Sequence, residues 1–424
     1  RFDDTVASEE VFQAKLMNLL TPTPAAINRL FKAKYADSPS AATDYFFNLS
    51  KQNDYIKTRA IAKNEHFYTA SPYGELEITI NLSKPEKDPK QIAAERHAVK
   101  SDYPKCLLCM ENEGYAGRIN HPARTNHRIV QLDVAGETWG FQYSPYAYFN
   151  EHSIVLAEKH SPMMISQATF SRLLAIVDSL PTYFAGSNAD LPIVGGSILS
   201  HDHYQAGRHD FPMAKAELKS EFVIPIFPKI RAGIVNWPMS VIRLRADNSQ
   251  DLVAASTFIL EKWQQYTDKT VDVVARTADG TQHHTITPIA RRRGTDFEID
   301  LVLRDNNISE QYPDGIFHPH HDVQHIKREN IGLIEVMGLA ILPGRLKTEL
   351  EEVKRYILGE ANTVAVYHQP WAEALKQVYK NEAIDGYMQN ALGQVFLTVL
   401  EHAGVFKDTA AGNAAFARFV GELK

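Results

Sequence analysis

The stretch GGSILSHDHYQAG, residues 195–207, places polar side chains at alternate positions after a pair of glycines. Because side chains alternate between the two faces of a β-strand, a strand through this stretch would bring four polar groups onto one face. Those four residues are Ser197, His201, His203 and Gln205. Gly195 and Gly196 would leave room for a ligand close to the backbone. The stretch therefore predicts a strand with a ligand-binding face.

Three chemistries suit this face. A neutral imidazole with one nitrogen held by a backbone carbonyl can attack a phosphorus atom, while neighbouring donors neutralise the phosphate charge. Two imidazoles can instead bind a metal ion that activates water, or the pair can divide these two roles. A structural or solvated histidine pair is the remaining interpretation.

The two cysteines of the chain form a single C-x-x-C pair, Cys106 and Cys109. In a chain with no secretory signal, such a pair indicates metal ligation or redox chemistry, with two incidental thiols as the alternative. A redox motif should open a long helix, but the glycine-containing residues 110–127 are typical of a loop. The pair therefore predicts a zinc knuckle that needs two more ligands. His160 and His201 are the candidates, which leaves His203 free.

Length, composition and charge limit the possible partners. The chain has 424 residues and a formal net charge of −6, which argues against a nucleic-acid or anionic-membrane surface, because such surfaces need excess Lys and Arg. No apolar stretch approaches the ~20 residues of a membrane span, and residues 1–10 have no apolar signal core. We therefore expect a cytoplasmic protein that binds neither nucleic acid nor membrane. More than one folding unit is expected, since a domain usually has ~100–200 residues.

The order of predicted elements repeats within the chain. Residues 1–100 are mostly helical in pattern, and a hairpin (residues 128–144), a strand, a helix capped by Ser166 and the strand of His203 follow. The second half repeats this order and also closes on a His-x-His pair, His318 and His320, which indicates a duplicated α+β unit. The predicted division is 1–100, a helical accessory region; 101–220, the unit with the site; 221–345, a second unit; and 346–424, a helical C-terminal region.

The residues also resemble a known superfamily. NEHSIVLAEKH (residues 150–160), a helix and then GGSILSHDHYQ are similar to the histidine-triad pattern, in which an H-x-H-x-Q/H strand carries the nucleophile. Three longer runs, residues 106–124, 187–207 and 326–346, resemble the second class of galactose-1-phosphate uridylyltransferases. The resemblance implies an α+β fold of duplicated histidine-triad-like antiparallel sheet units with flanking helices. It also implies a ping-pong exchange of UMP between UDP-glucose and galactose 1-phosphate through a covalent uridylyl-histidine.

The resemblance further implies a role for each residue of the site. His203 matches the nucleophile, and Gln205 matches the residue that holds the uridylyl phosphate. The substrate-binding positions that it implies are Ser197 for phosphate, Asn188 for nucleotide and Glu335 for sugar hydroxyls. The structural zinc ligands that it implies are Cys106, Cys109, His160 and His201. His318 and His320 resemble a second, structural metal site.

The chain departs from the first class of the same enzymes in two places. That class has H-P-H-G-Q where this chain has Asp202 and Tyr204, so the nucleophile and glutamine keep their positions but the loop around them differs. A sugar-binding glutamine of the first class is Ile341 here. The phosphate chemistry is therefore better defined by the resemblance than the sugar contacts are.

A covalent intermediate also requires that water be excluded, which accessory helices or the partner subunit of a homodimer would achieve. Two other functions fit the same residues. One is a histidine-triad hydrolase or phosphorylase of dinucleoside polyphosphates, which would need no sugar phosphate. The other is a non-catalytic zinc-binding scaffold in which every histidine is a ligand or part of the core.

Overall fold

Thirteen strands and twelve α-helices are present in the computed structural model of the protein, which describes residues 6–83, 101–118, 120–196 and 198–424. The strands are β1 (Glu65–Ser71), β2 (Gly74–Asn81), β3 (Val130–Val134), β4 (Glu137–Tyr143), β5 (Ser153–Ala157), β6 (Phe184–Gly186), β7 (His203–Gly207), β8 (Leu218–Phe222), β9 (Arg231–Val235), β10 (Val241–Ala246), β11 (His284–Arg293), β12 (Asp296–Asp305) and β13 (Leu339–Pro343). The helices are α1 (Val6–Asn18), α2 (Pro24–Asp37), α3 (Pro39–Gln52), α4 (Thr58–Ile61), α5 (Gln167–Ser179), α6 (Pro212–Lys215), α7 (Ser249–Trp263), α8 (Leu333–Val336), α9 (Leu346–Leu358), α10 (Gln369–Val378), α11 (Ile384–Ala403) and α12 (Ala410–Gly421). Short 3-10 helices span Met110–Asn112, Lys269–Val271 and Val366–His368.

Ten of the strands form one antiparallel sheet in the order β3-β4-β5-β7-β6-β11-β12-β10-β9-β8. The chain builds this sheet twice in the same way: three consecutive strands, a helix (α5 or α7), a fourth strand, and a fifth strand inserted between the third and the fourth. The two copies join where β6 pairs with β11, with Gly186 opposite Ile289 and Ala185 opposite Ala290. The predicted α+β fold with a duplicated sheet unit is confirmed. The numbered boundaries at 100, 220 and 345 remain predictions.

The structure corrects one part of the predicted duplication. The fifth strand of the first copy is β7, which begins at His203, and its counterpart in the second copy is β12. His318 and His320 follow β12 and lie outside helices and strands. Their expected equivalence to His201 and His203 is therefore wrong. The alternating sequence FEIDLVLRD lies in β12 and pairs with β11 over its whole length. It occupies, in the second copy, the place that β7 has in the first.

The local predictions around the site hold. β3 and β4 form the expected hairpin, in which Val130, Leu132 and Val134 are buried and the intervening residues are exposed. Helix α5 begins after Ser166, whose backbone N–H donates to Thr169 Oγ1 at 3.1 Å. The alternation of side chains therefore sets the sheet, and a local cap fixes the start of the helix.

The two faces of the large sheet are covered by different elements. One face packs against α5 and α7, as Ala206 and Leu173 illustrate. The other face, which includes Phe184 and Ile289, packs against a second sheet and helices α9, α10 and α11. This second sheet consists of β1, β2 and β13, with β13 parallel to β2. The helical N- and C-terminal regions are confirmed, but the hairpin of β1 and β2 was not predicted from the sequence.

Buried ion pairs connect three strands of the second copy. Arg243 Nε lies 2.6 Å from Asp300 Oδ1, and Arg291 Nη2 lies 2.7 Å from Asp300 Oδ2. Arg291 Nη1 also contacts Glu298 Oε1 at 2.6 Å. These pairs link β10, β11 and β12 on the face that packs against the second sheet. Among the helices that the structure describes, none combines the length and apolar character needed to cross a bilayer.

Candidate active site

Strand β7 is shorter than the sequence predicts, and its start separates the two histidines. Backbone hydrogen bonds hold residues 199–202 against the segment that follows β5: Met163 N donates to Leu199 O at 2.9 Å, and Asp202 N donates to Ser161 O at 2.7 Å. His201 therefore leaves the strand, and the prediction that it shares a face with His203 is wrong. His203 and Gln205 both lie on β7, two residues apart, and share one face. Ser197 lies outside the described residues.

His203 is a buried imidazole with one nitrogen fixed. Its Nδ1 lies 2.7 Å from the backbone oxygen of His201, so Nδ1–H donates and the lone pair belongs to Nε2. Burial lowers the pKa of His203 to about 4, with a further contribution from the His201 charge. The ring is therefore neutral at pH 7. This arrangement is the one that nucleophilic attack by an imidazole requires.

The side chain of Gln205 contacts a histidine, His152, to which the sequence analysis gave no role. His152 Nε2 lies 3.1 Å from Gln205 Oε1. His152 directly precedes β5, the neighbour of β7, and its ring stacks on Phe149 with 4.3 Å between ring centroids. A sequence signal existed, because His152 lies in the run NEHSIVLAEKH, residues 150–160, on which the resemblance partly rests.

The two cysteines meet two histidines in a compact group. The four ligand atoms of Cys106, Cys109, His160 and His201 lie within 4.8 Å of one another. The Sγ atoms are 3.5 Å apart, and Nδ1 of His201 and Nδ1 of His160 lie 3.3 Å from Sγ of Cys106 and Cys109, respectively. A tetrahedral site with Zn–S bonds of about 2.3 Å and Zn–N bonds of about 2.0 Å has edges of roughly 3.3–3.8 Å. The donor set and spacing therefore fit a structural zinc ion.

The surroundings of this group orient its ligands. His201 Nε2–H donates to Ala157 O at 2.8 Å, which directs Nδ1 toward the cysteines. Asn112 donates from Nδ2 to the backbone oxygens of Cys106 and Cys109, at 2.9 and 2.8 Å. His121 Nε2 in turn lies 2.6 Å from Asn112 Oδ1. Asn112 and His121 were not predicted as supports of the knuckle; their position just after the C-x-x-C pair was the available signal.

Asn188 and Glu335, predicted to bind substrate, meet at the start of α8. Asn188 Oδ1 accepts a hydrogen bond from Leu333 N at 2.9 Å, and Glu335 Oε2 accepts from Gly332 N at 3.2 Å. A side chain at Gly332 would lie 3.1 Å from Asn188 Oδ1. The structure therefore brings these two residues together although they are far apart in the sequence.

The glycine pair before β7 serves this same packing. A Cβ atom at Gly196 would lie 2.6 Å from Asn188 Nδ2, and one at Gly195 would lie 2.6 Å from the backbone oxygens of Ala189 and Leu191. The protein's own packing thus requires that both positions lack a side chain. Close approach of a ligand to the backbone of Gly195 and Gly196 stays a prediction.

A buried lysine holds the Glu335 carboxylate. Lys327 Nζ lies 3.0 Å from Glu335 Oε1 and donates to Ile341 O at 3.2 Å. Burial and the Glu335 charge raise the pKa of Tyr148, while the Lys327 charge lowers it. Tyr148 also lies beside the ring of His152. Lys327 is a further residue that the sequence analysis did not single out.

His318 and His320 engage backbone oxygens. Nδ1 of His318 lies 3.3 Å from Pro319 O, and Nε2 of His320 lies 3.0 Å from Ile316 O. The His320 ring is stacked between Tyr312 and His402. Neither histidine belongs to a group of three potential metal ligands in the part of the chain that is described. The second metal site stays a prediction.

The duplicated antiparallel unit carries a buried imidazole at the start of β7 and an adjoining Cys2His2 group, and the family models identify the class of enzyme to which this site belongs. Family models described as the N-terminal and C-terminal domains of galactose-1-phosphate uridyl transferase match residues 2–162 and 176–373. The chain belongs to the galactose-1-phosphate uridylyltransferase family and is a transferase.

The sequences of similar proteins align with nearly the whole chain. It is 60% identical to galactose-1-phosphate uridylyltransferase of Lacticaseibacillus casei (strain BL23) over 99% of this chain and 86% of that protein. It is 59% identical to galactose-1-phosphate uridylyltransferase 1 of Streptococcus pneumoniae serotype 4, with the same coverage. Among solved structures, yeast Ap4A phosphorylase Apa2 in complex with Ap4A covers 73% of this chain and 90% of its own, with 12% identity and a TM-score of 0.39.

Proposed function

We propose that His203 Nε2 carries the uridylyl group in an exchange of UMP between UDP-glucose and galactose 1-phosphate. The Nε2 lone pair attacks the α-phosphorus of UDP-glucose, a nitrogen–phosphorus bond forms, and glucose 1-phosphate leaves with the electrons of the broken phosphorus–oxygen bond. A phosphate oxygen of galactose 1-phosphate then attacks the same phosphorus, and the imidazole leaves. UDP-galactose is released and the ring of His203 is regenerated.

The hydrogen bond from His203 Nδ1 to the His201 backbone oxygen, at 2.7 Å, carries this proposal. The His201 side chain is directed to the cysteines, while its backbone oxygen fixes the ring of His203. His203 therefore has no part in metal binding, and Nε2 keeps its lone pair for the substrate. The two histidines divide the roles that the sequence left open.

The remaining assignments rest on position. Gln205 would hold the uridylyl phosphate, Ser197 would contact phosphate, and Asn188 and Glu335 would contact nucleotide and sugar. Cys106, Cys109, His160 and His201 would hold zinc, which when bound supplies a rigid link between the knuckle and the strand of the nucleophile. We also propose a second metal near His318 and His320, a homodimer and a cytoplasmic location. The proposal includes neither nucleic-acid nor membrane partners.

The test is covalent labelling with UDP-glucose that carries radioactive phosphorus at the α position, without acceptor. We expect acid-labile, base-stable label on the wild-type protein, discharged by galactose 1-phosphate as UDP-galactose, and no label on His203→Gly. His321→Gly, which removes an exposed histidine, is the control and should label normally. An unlabelled wild type, or a labelled His203→Gly, would refute the proposal.

The same assay separates the alternative functions. A hydrolase or phosphorylase of dinucleoside polyphosphates would release nucleotide to water or phosphate without galactose 1-phosphate. A zinc-binding scaffold would take no label in any variant.

A further inference from the structure

His152 is a buried ring whose two nitrogens have different partners. Nδ1 faces the backbone N–H of Tyr148 at 3.4 Å, and Nε2 faces Gln205 Oε1 at 3.1 Å. The side chain is 5% exposed, and burial lowers the pKa of His152 to about 4. The ring is therefore neutral under ordinary conditions.

These partners determine the tautomer of His152. A neutral imidazole has one donor and one acceptor nitrogen. The Tyr148 backbone N–H can only donate, so Nδ1 is the acceptor and Nε2 carries the proton. Nε2–H consequently donates to Gln205 Oε1.

The tautomer of His152 in turn determines the orientation of the Gln205 amide. With Oε1 engaged by His152, the NH2 group of Gln205 points to the other side of the side chain. No described residue accepts a hydrogen bond from this NH2 group. A phosphate group is an acceptor, so it would be attracted by the NH2 group and repelled by the amide oxygen in the opposite orientation.

The turn that carries His152 is held firmly. The ring stacks on Phe149, and the neighbouring Glu151 has a left-handed backbone with a φ of 53°. The buried Glu151 carboxylate accepts a short hydrogen bond from the Tyr183 hydroxyl and lies 3.4 Å from Arg208 Nε. An unfavourable backbone conformation is kept here by specific contacts, which is typical of positions where a side chain must be placed exactly.

We propose that His152 is a positioning residue that orients the Gln205 amide so that its NH2 group, and not its oxygen, faces the α-phosphate held beside His203. This inference rests on the proposed uridylyl transfer and adds the group that prepares Gln205 for it. His152 itself does not touch the substrate.

The experiment combines a double-mutant cycle of His152 and Gln205 with two conservative variants of His152, which are His152→Gln and His152→Asn. His152→Phe keeps the stacked ring but loses the donor, and we expect kcat/KM for UDP-glucose to fall about 10–100-fold, the usual effect of removing a group that orients another. In a Gln205→Ala background the same substitution should change kcat/KM less than about twofold, because the group on which His152 acts is absent. His152→Gln can place an amide NH2 group where Nε2–H was and should recover most of the loss. His152→Asn, whose amide reaches only the position of Nδ1, should not.

Two results would overturn the inference: unchanged kcat/KM in His152→Phe, or an equal loss with and without Gln205. Thermal unfolding of each variant is measured in parallel. If His152→Phe does not fold, the comparison of His152→Gln with His152→Asn decides, and equal activity of the two contradicts the proposed role. Failure of the proposed function gives a different result, since the wild-type protein would then take no label from UDP-glucose.

Discussion

At the scale of single residues, hydrogen bonds to backbone oxygens orient two neighbouring histidine rings differently. His201 and His203 are two residues apart, yet one ring is directed to the cysteines through Ala157 O and the other is fixed by His201 O. The sequence predicted that Cys106 and Cys109 would meet two histidines, and the structure brings His160 and His201 to them. Zinc binding by this group and the role of His203 as nucleophile stay predictions. The sequence could not predict Asn112 or His152, because a buried asparagine or histidine has many structural uses and only the fold shows what it supports.

The hydrogen bonds from Asn112 to the Cys106–Cys109 segment give a prediction at this scale. Asn112→Ala removes both donors to the backbone oxygens of Cys106 and Cys109. We expect zinc affinity to fall about 10–100-fold, measured by competition with a chromophoric chelator. Asn120→Ala, an exposed change in the same loop, is the control and should bind zinc as the wild type does. Equal affinity in Asn112→Ala would show that these hydrogen bonds do not orient the ligands.

At the scale of secondary structure, the sequence predicted elements well where the pattern was local. The β3–β4 hairpin and helix α5 were predicted because alternation and capping are properties of neighbouring residues. The departure of residues 199–202 from the sheet was not predicted, because their hydrogen-bond partners lie in the segment after β5. The β1–β2 hairpin was also missed, and the strand that completes its sheet, β13, lies far along the chain.

Strand β12 offers a prediction about the buried ion pairs. Asp300 is fully buried between Arg243 and Arg291. Asp300→Asn leaves two buried guanidinium groups without their shared carboxylate, so we expect a loss of about 3–5 kcal/mol in the free energy of unfolding, measured with urea. Asp296→Asn, on the same strand but bonded to the more exposed Arg231 and Arg245, should have a much smaller effect. Equal effects of the two substitutions would contradict the assignment.

At the scale of the whole molecule, one buried carboxylate connects the two sheets. Glu77 on β2 accepts hydrogen bonds from His209, which follows β7, at 3.0 Å. Burial alone would raise the pKa of Glu77, but hydrogen bonds from His209 and His66 lower it to about 2. A carboxyl whose pKa is lower in the folded than in the unfolded state stabilises the fold above its unfolded pKa and loses this effect as the pH falls.

The pH dependence of stability should therefore change in Glu77→Gln. In the wild type, the contribution of Glu77 is complete above about pH 4.5 and disappears as the pH falls toward 2. The substitution should lower the urea midpoint at pH 7 and reduce its decline over that acid range. Glu75→Gln, on the same strand with an exposed side chain, is the control. Parallel acid profiles of wild type and Glu77→Gln would exclude this role for the carboxylate.

The junction between the two copies of the sheet unit has a further consequence. Two residue pairs between β6 and β11 join the two halves of the ten-stranded sheet, and beside them Ser187 N donates to Pro288 O at 3.0 Å. Beyond this short pairing, helices α5 and α7 contact each other and share one hydrophobic core that includes Leu173 and Ile259. A continuous chain also keeps the two halves at a high effective concentration. Dilution in the cell therefore does not separate the half that bears His203 from the half that lies beside it.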